Sequence, residues 1–214
     1  MLTKMLDIFE HFCFYLTYRF MKYFKIIFCL SVIAVNLLTS CTSSGDHDEI
    51  YNKLGENEAK VIYKIDGKEF YPQESIFKGE VNASDKLLSI TFIDQFDGRS
   101  IISFGGDDWY LAIPSKKEVF SNDQINAGVK MGKLTDREKM IGEAFIMTDG
   151  AVTLEAFSKE KIIMTIHGKV GKYSDFEQPT EFKKFDATII YKKPAFSLLN
   201  ITEEELFSAI KSSK

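Results

Sequence analysis

No cysteine follows Cys41 in this 214-residue chain. The part long enough to fold therefore holds no disulfide, no thiol nucleophile and no cysteine-ligated zinc, and its stability rests on packing alone. Histidine is almost as scarce, with three in all and only His167 after residue 47. No Gly-x-Ser-x-Gly, no His-Glu-x-x-His and no glycine-rich phosphate loop with Lys and Ser/Thr is present. The common nucleophile-elbow, zinc-protease and nucleotide motifs are thus missing. Basic residues are not in excess either, since 27 Lys and Arg stand against 31 Asp and Glu. Without a basic stripe to displace counterions from phosphates, nucleic acid is not an expected partner.

What the chain does have begins with its leader. Met21-Lys22-Tyr23-Phe24-Lys25 is a short positive segment, and Ile26 to Leu38 is apolar except for Ser31 and Asn36. That run has the length of a signal h-region and falls short of the ~20 residues that span a bilayer. Small residues follow, ending in Leu38-Thr39-Ser40-Cys41. This stretch resembles the lipobox of bacterial lipoproteins. The resemblance implies cleavage between Ser40 and Cys41, a diacylglycerol on the Cys41 thiol and acylation of the new amino terminus. More than one acyl chain is needed, because a single chain binds membranes only reversibly at ~0.8 kcal/mol per buried CH₂. Asp7, Glu10 and His11 interrupt residues 1–20. Either translation starts at Met21, or 1–20 are an extended leader removed with residues 21–40.

Residues 41–59 read as a lipidated, flexible tether. Thr42 to Glu49 has no apolar period, and its acidic cluster resembles the export signal of surface lipoproteins of Bacteroidota. The expected location is the outer membrane, on the cell surface or on the periplasmic face. Asp46, His47 and Asp48 are read as solvated side chains, since a flexible tail cannot preorganise a metal site. Without residues 1–40 the chain has 174 residues with 23 basic and 29 acidic side chains, a formal charge of −6. That length suits one domain with a real core.

Residues 60–214 are expected to form that domain. Val61–Ile65 and Lys68–Tyr71 flank Asp66-Gly67, a strong two-residue hairpin signal. Ile76–Asn82 and Lys86–Phe96 form a second pair, and Asp97-Gly98 leads into Arg99–Phe104. Gly105-Gly106-Asp107 breaks the chain before Trp109–Ile113, which Pro114 ends. Later strands are Glu143–Thr148, Val152–Phe157 after a turn at Asp149-Gly150, Ile162–Val170 and Phe182–Tyr191. The fold class is therefore all-β, a β-sandwich or partly open barrel of about nine short antiparallel strands. Residues 115–142 are predicted as a long crossover with one short helix or strand, Gly128, Gly132 and Gly142 interrupting anything longer. A C-terminal helix is predicted where Thr202 caps Glu203-Glu204-Glu205, with Leu206, Phe207 and Ile210 as its apolar stripe and Lys211 at its far end.

Within 143–196, Gly150 to Leu154 and Lys161 to Val170 resemble the repeated strand pattern of small β-rich lipoproteins of Bacteroidota. The likeness supports the fold and brings no functional residues. Candidate sites are few. His167 falls with Thr165 and Lys169 on the polar face of its strand, which marks a surface residue. Asp94 with Asp97, and Asp107 with Asp108, have the look of carboxylate or calcium pairs, but Asp beside tight turns commonly bonds the local backbone. Alternation puts Trp109, Leu111 and Ile113 on one face, which reads as core, leaving Tyr110 on the opposite face with Asp107 and Asp108 as the candidate ligand-contact set. No catalytic residue, metal ligand or cofactor is assigned. The expected function is a lipid-anchored envelope binding or accessory module without its own catalysis, its ligand a glycan or peptide. The alternative is a hydrolase or enzyme inhibitor acting on envelope glycan or peptide.

Overall fold

The computed structural model describes residues 43–107, 109–121, 124–173 and 179–208. The leader, the lipobox with Ser40 and Cys41, Asp108, Ile210 and Lys211 lie outside the described residues. The folded unit begins at Asp48. The expected flexible tether holds a helix instead, α1 (Ser43–Lys53), and the first strand opens at Glu58. Two anchors explain the early start. Leu54 is buried, with its carbonyl accepting from Lys192 Nζ at 2.7 Å. Tyr51 donates its hydroxyl to the Glu160 carbonyl at 3.2 Å, under the Lys192 and Lys161 ammonium groups.

Among the described residues thirteen strand segments follow: β1 (Glu58–Ile65), β2 (Lys68–Glu69), β3 (Phe77–Ser84), β4 (Leu87–Asp94), β5 (Arg99–Gly105), β6 (Ser115–Glu118), β7 (Phe120–Ser121), β8 (Gln124–Ile125), β9 (Ala127–Asp136), β10 (Ile141–Phe157), β11 (Lys161–Lys172), β12 (Phe182–Lys192) and β13 (Phe196–Leu199). The chain is all-β with a short C-terminal helix, as expected. It is not a sandwich. Strands run β1-β3-β4-β5-β9-β10-β11-β12 and return to β1, every pair antiparallel, so eight of them close a barrel. Closure is thin, since β1 meets β3 only at Glu58–Lys78 and Ala59–Phe77. The rest of that β3 edge is paired by β13, which lies parallel along Val81–Ser84. Sharing one edge between two strands leaves few unpaired backbone groups there.

Eight strands leave an interior just wide enough for side chains, and here side chains fill it. Tyr63, Phe77, Phe92, Phe104, Phe185 and Tyr191 are fully buried, together with the inward aliphatic residues of β4, β5, β10 and β11. Alternation is the cause. On β4, Leu88, Ile90, Phe92 and Asp94 point inward, while Ser89, Thr91 and Ile93 do not.

The Asp66-Gly67 hairpin holds, with φ of 51° and 77° matching the turn such pairs favour. Three other expectations fail. Asp149-Gly150 does not turn the chain: it lies inside β10, seventeen residues long, as a bulge between Met147 and Asp149. Gly150 takes φ 112° and pairs with Gly168. A Cβ on Gly150 would meet the His167 carbonyl oxygen, and one on Gly168 would meet that of Asp149. The bulge also divides the strand's other edge, β9 pairing its first part and β6 the part from Ala151 to Leu154. Trp109–Ile113 is a run of turns and bends, not a strand. Residues 115–142, expected as a crossover loop, supply β6 to β9 and the start of β10. Their glycines fit a strand as well as they interrupt a helix. At the end, α2 (Glu203–Ser208) carries a reciprocal cap. Glu205 N donates to Thr202 Oγ1 at 3.2 Å, and Thr202 N donates to Glu205 Oε2 at 2.8 Å. Leu206 is buried and Phe207 stacks on Phe157 at 5.5 Å.

Candidate functional site

The loop singled out by sequence does not offer an open aromatic platform. Trp109 is 1% exposed, edge-on to Phe157 at 5.0 Å and Phe104 at 6.4 Å, and its Nε1 donates to the Ser84 carbonyl at 2.9 Å. Its assignment to the core is right, for a reason other than strand alternation: Leu111, expected beside it, is exposed. Tyr110 is half-buried, packs against the core and meets the Trp109 ring at 5.5 Å. Asp107 is exposed.

The remaining sequence candidates resolve into structure. Asp94 is buried, and its Oδ1 accepts the amides of Phe96 at 2.9 Å and Gly98 at 2.6 Å, the turn role expected of it. Its Oδ2 and the Ser75 hydroxyl are buried without a partner among the described residues. Asp97 takes φ 63° in the same turn and is ion-paired with Arg137. His167 is exposed on the outer face of β11, its Nδ1 2.9 Å from Asp186 Oδ1. Lys184 first and His167 second hold the Asp186 carboxyl below its usual range. Burial pushes Tyr63 and Tyr71 up, and Tyr191 up to about 12. These three rings stay neutral at physiological pH and act as core with a hydrogen-bonding tip: Tyr63 shares a 2.6 Å bond with Ser100 Oγ. Among the described residues no three His, Cys, Asp or Glu side chains gather as metal ligands.

The surface best shaped to hold a ligand lies on the outer face of β5, β9 and β10. Inward residues of β5 and β9 alternate with Arg99, Ile101 and Ser103 on one strand and Gly128, Lys130 and Gly132 on the other. The register sets Arg99 opposite Gly132 and Ala144, Ile101 opposite Lys130 and Ile146, and Ser103 opposite Gly128. Two glycines and an alanine thus sit where side chains would otherwise cover the sheet. A Cβ at Gly128 would meet nothing within 4 Å. The result is a groove of about 480 Å³ floored by backbone, within the ~300–1,000 Å³ range of small-ligand sites. Its walls include Phe120, 54% exposed, Phe182, 56% exposed, and Ile101, 42% exposed. Pro179 closes one side by packing over Gly171. The groove shares Ile101 and Lys130 with a smaller hollow of about 190 Å³ that includes Arg99 and Tyr173. Beyond it, a wider depression of about 720 Å³ runs past Gly132 to Arg137 and Met140.

The charges along this path are unequally satisfied. Arg137 is held by Asp97, and Lys133 by Glu143 at 3.2 Å and the Phe70 carbonyl at 2.7 Å. The side chains of Lys130 and Arg99 have no hydrogen-bond or ion-pair partner among the described residues, although the Arg99 carbonyl accepts from the Tyr71 hydroxyl at 2.6 Å. This face is not evident in the sequence, where Gly128 and Gly132 read as breaks in a helix. The signal was present in Gly128-Val129-Lys130-Met131-Gly132, a period-two segment whose outer face is two glycines around one cation. No protein-family model, curated protein or solved structure matches the chain.

Proposed function

We propose that this protein is a lipid-anchored envelope module that holds a ligand without transforming it. Cys41 is the anchor in this reading, and the groove over Gly128 is the ligand surface. The observation that carries it is the groove itself: exposed Phe120, Phe182 and Ile101 beside a bare backbone floor and an unpaired lysine, on a barrel whose interior is packed with side chains. Apolar walls bury ligand area, and a few polar groups fix its orientation. Tyr110 and the 105–108 loop, expected to contact glycan or peptide, are the secondary surface. A lipobox cysteine would place the module at the outer membrane, on its periplasmic or outer side, where a ligand can be captured from the envelope. No helix among the described residues is long and apolar enough to cross a membrane.

Two measurements test the parts separately. Cys41→Ala should release the protein from the membrane fraction and abolish labelling by a clickable fatty acid; unchanged membrane partitioning would overturn the anchor. Hydrogen exchange of the released protein in envelope extract should slow along β5, β9 and β10. Protection confined to 105–114 would move the ligand surface to the Tyr110 loop.

A further inference from the structure

The groove's chemistry narrows its occupant. Neighbouring strands lie ~4.8 Å apart, so Ile101 on β5 and Ile146 on β10 stand about 10 Å apart with the Lys130 side chain between them, and the open floor lies one row along at Gly128. Gly128 floors the groove on one side of Lys130, and Gly132 opens into the adjoining hollow on the other. The walls named above are aliphatic or phenyl, and among the described residues Ser103 and Thr148 supply the uncharged polar side chains that line the 480 Å³ groove. A sugar would leave its hydroxyls facing carbon there. Among the described residues that line the groove, Lys130 carries the charge, and its side chain and that of Arg99, one row along β5, have no partner. In a chain with formal charge −4, this stretch of surface carries local positive charge beside apolar walls.

We propose that the groove binds a free, single-chain anionic amphiphile of the fatty-acid type. Its acyl chain lies over Gly128 between Phe120, Phe182 and Ile101, and its carboxylate meets Lys130 and Arg99. This rests on the groove being the ligand surface and adds the class of ligand. The complementarity is twofold. Exposed Phe120, Phe182 and Ile101 lose water to the chain, and the two cations gain charge-assisted bonds to a head group. Lys130 is flanked in register by Ile101 and Ile146, so an anion that arrives with its own apolar tail can meet its charge without exposing those walls.

Calorimetric titration with dodecanoate, kept below its micelle-forming concentration, tests this on the full chain carrying Cys41→Ala, which removes the anchor's own acyl chains. Saturable one-to-one binding is expected. Dodecanol, uncharged, should bind about tenfold more weakly, the cost of one lost charge-assisted bond. Lys130→Glu and Arg99→Glu, both at exposed positions, should each weaken dodecanoate about tenfold or more and leave dodecanol unchanged. Gly128→Leu should block both ligands. Equal binding of dodecanol and dodecanoate, unmoved by the charge reversals, would overturn the anionic head while leaving the groove as the site. Binding only to anionic phospholipid vesicles would show a membrane-facing surface and overturn the free-amphiphile claim. A concentration-dependent dimer with this face protected would assign the groove to a second copy of the chain. Silence toward every amphiphile, with envelope extract still protecting β5, β9 and β10, would overturn the ligand class alone. Silence toward both would overturn the groove.

Discussion

Two glycines on the strands either side of β10 should respond to a side chain in opposite ways. Gly128 faces outward from β9 with no atom within 4 Å of a Cβ built there and with φ outside the left-handed region. A glycine inside a strand costs about 0.5–1 kcal/mol relative to alanine in chain entropy, and β-branching suits a pleated surface. Gly128→Val should therefore stabilise by about 0.5–1 kcal/mol. At ~2–4 °C per kcal/mol for a domain of this size, that raises the melting temperature by roughly 1–4 °C. Gly168 on β11 is the reverse case. Its Cβ would overlap the Asp149 carbonyl oxygen and crowd Gly150 Cα at 2.9 Å. Both obstacles are backbone, so nothing can rotate away and the β10 bulge itself must move. Overpacking of this kind costs about 1–3 kcal/mol, so Gly168→Ala should melt roughly 2–12 °C lower. Gly150→Ala adds the strain of φ 112°, worth a further ~1–3 kcal/mol. Differential scanning calorimetry on the three variants reads the result. A Gly168→Ala protein that melts with the wild type, or a Gly128→Val protein that loses several degrees, would refute the distinction between a glycine that clears a groove and one that lets two backbones touch.

Trp109→Ala should cost about 3–5 kcal/mol, since it empties a fully packed site and leaves the Ser84 carbonyl without its donor; chemical denaturation checks this, and a tolerated substitution would contradict the packing. Tyr110→Ala should cost less but measurably, because the ring is half-buried against Trp109 rather than standing free. A chain starting at residue 60 loses Leu54, 5% exposed, and Ala59, fully buried. It should be less stable than one starting at residue 43 by at least the ~1.5–3 kcal/mol of a buried leucine, and equal urea midpoints would show that the Leu54 contact contributes nothing.

The all-β class, the strands from Glu58 to Gly105, the last two long strands and the capped terminal helix were legible in the sequence. In each, alternation coincides with a turn signal whose backbone demand is local: Asp66-Gly67 supplies the φ values its hairpin requires. What was not legible depends on partners distant in sequence. Asp149-Gly150 has the composition of a hairpin turn, and only Gly168 on the neighbouring strand makes it a bulge inside one continuous strand. Closed barrel and sandwich present the same alternation; the two pairs between β1 and β3 decide between them. Trp109 was assigned to the core correctly while its neighbours were not, because a large indole with one donor is buried whether or not it lies in a strand. The groove escaped notice because its defining feature is missing side chains. Gly128, Gly132 and Ala144 make a surface only once the register sets them side by side with Ile101 and Ile146.

The groove's role as the ligand surface is tested most directly by backbone amide chemical-shift mapping during titration with dodecanoate. The largest changes should fall on 99–103, 128–132 and 144–148, with Gly128 and Lys130 foremost and residues 105–113 nearly still. Changes centred on Gly105 to Tyr110, with β9 unmoved, would contradict the account and return the site to the loop.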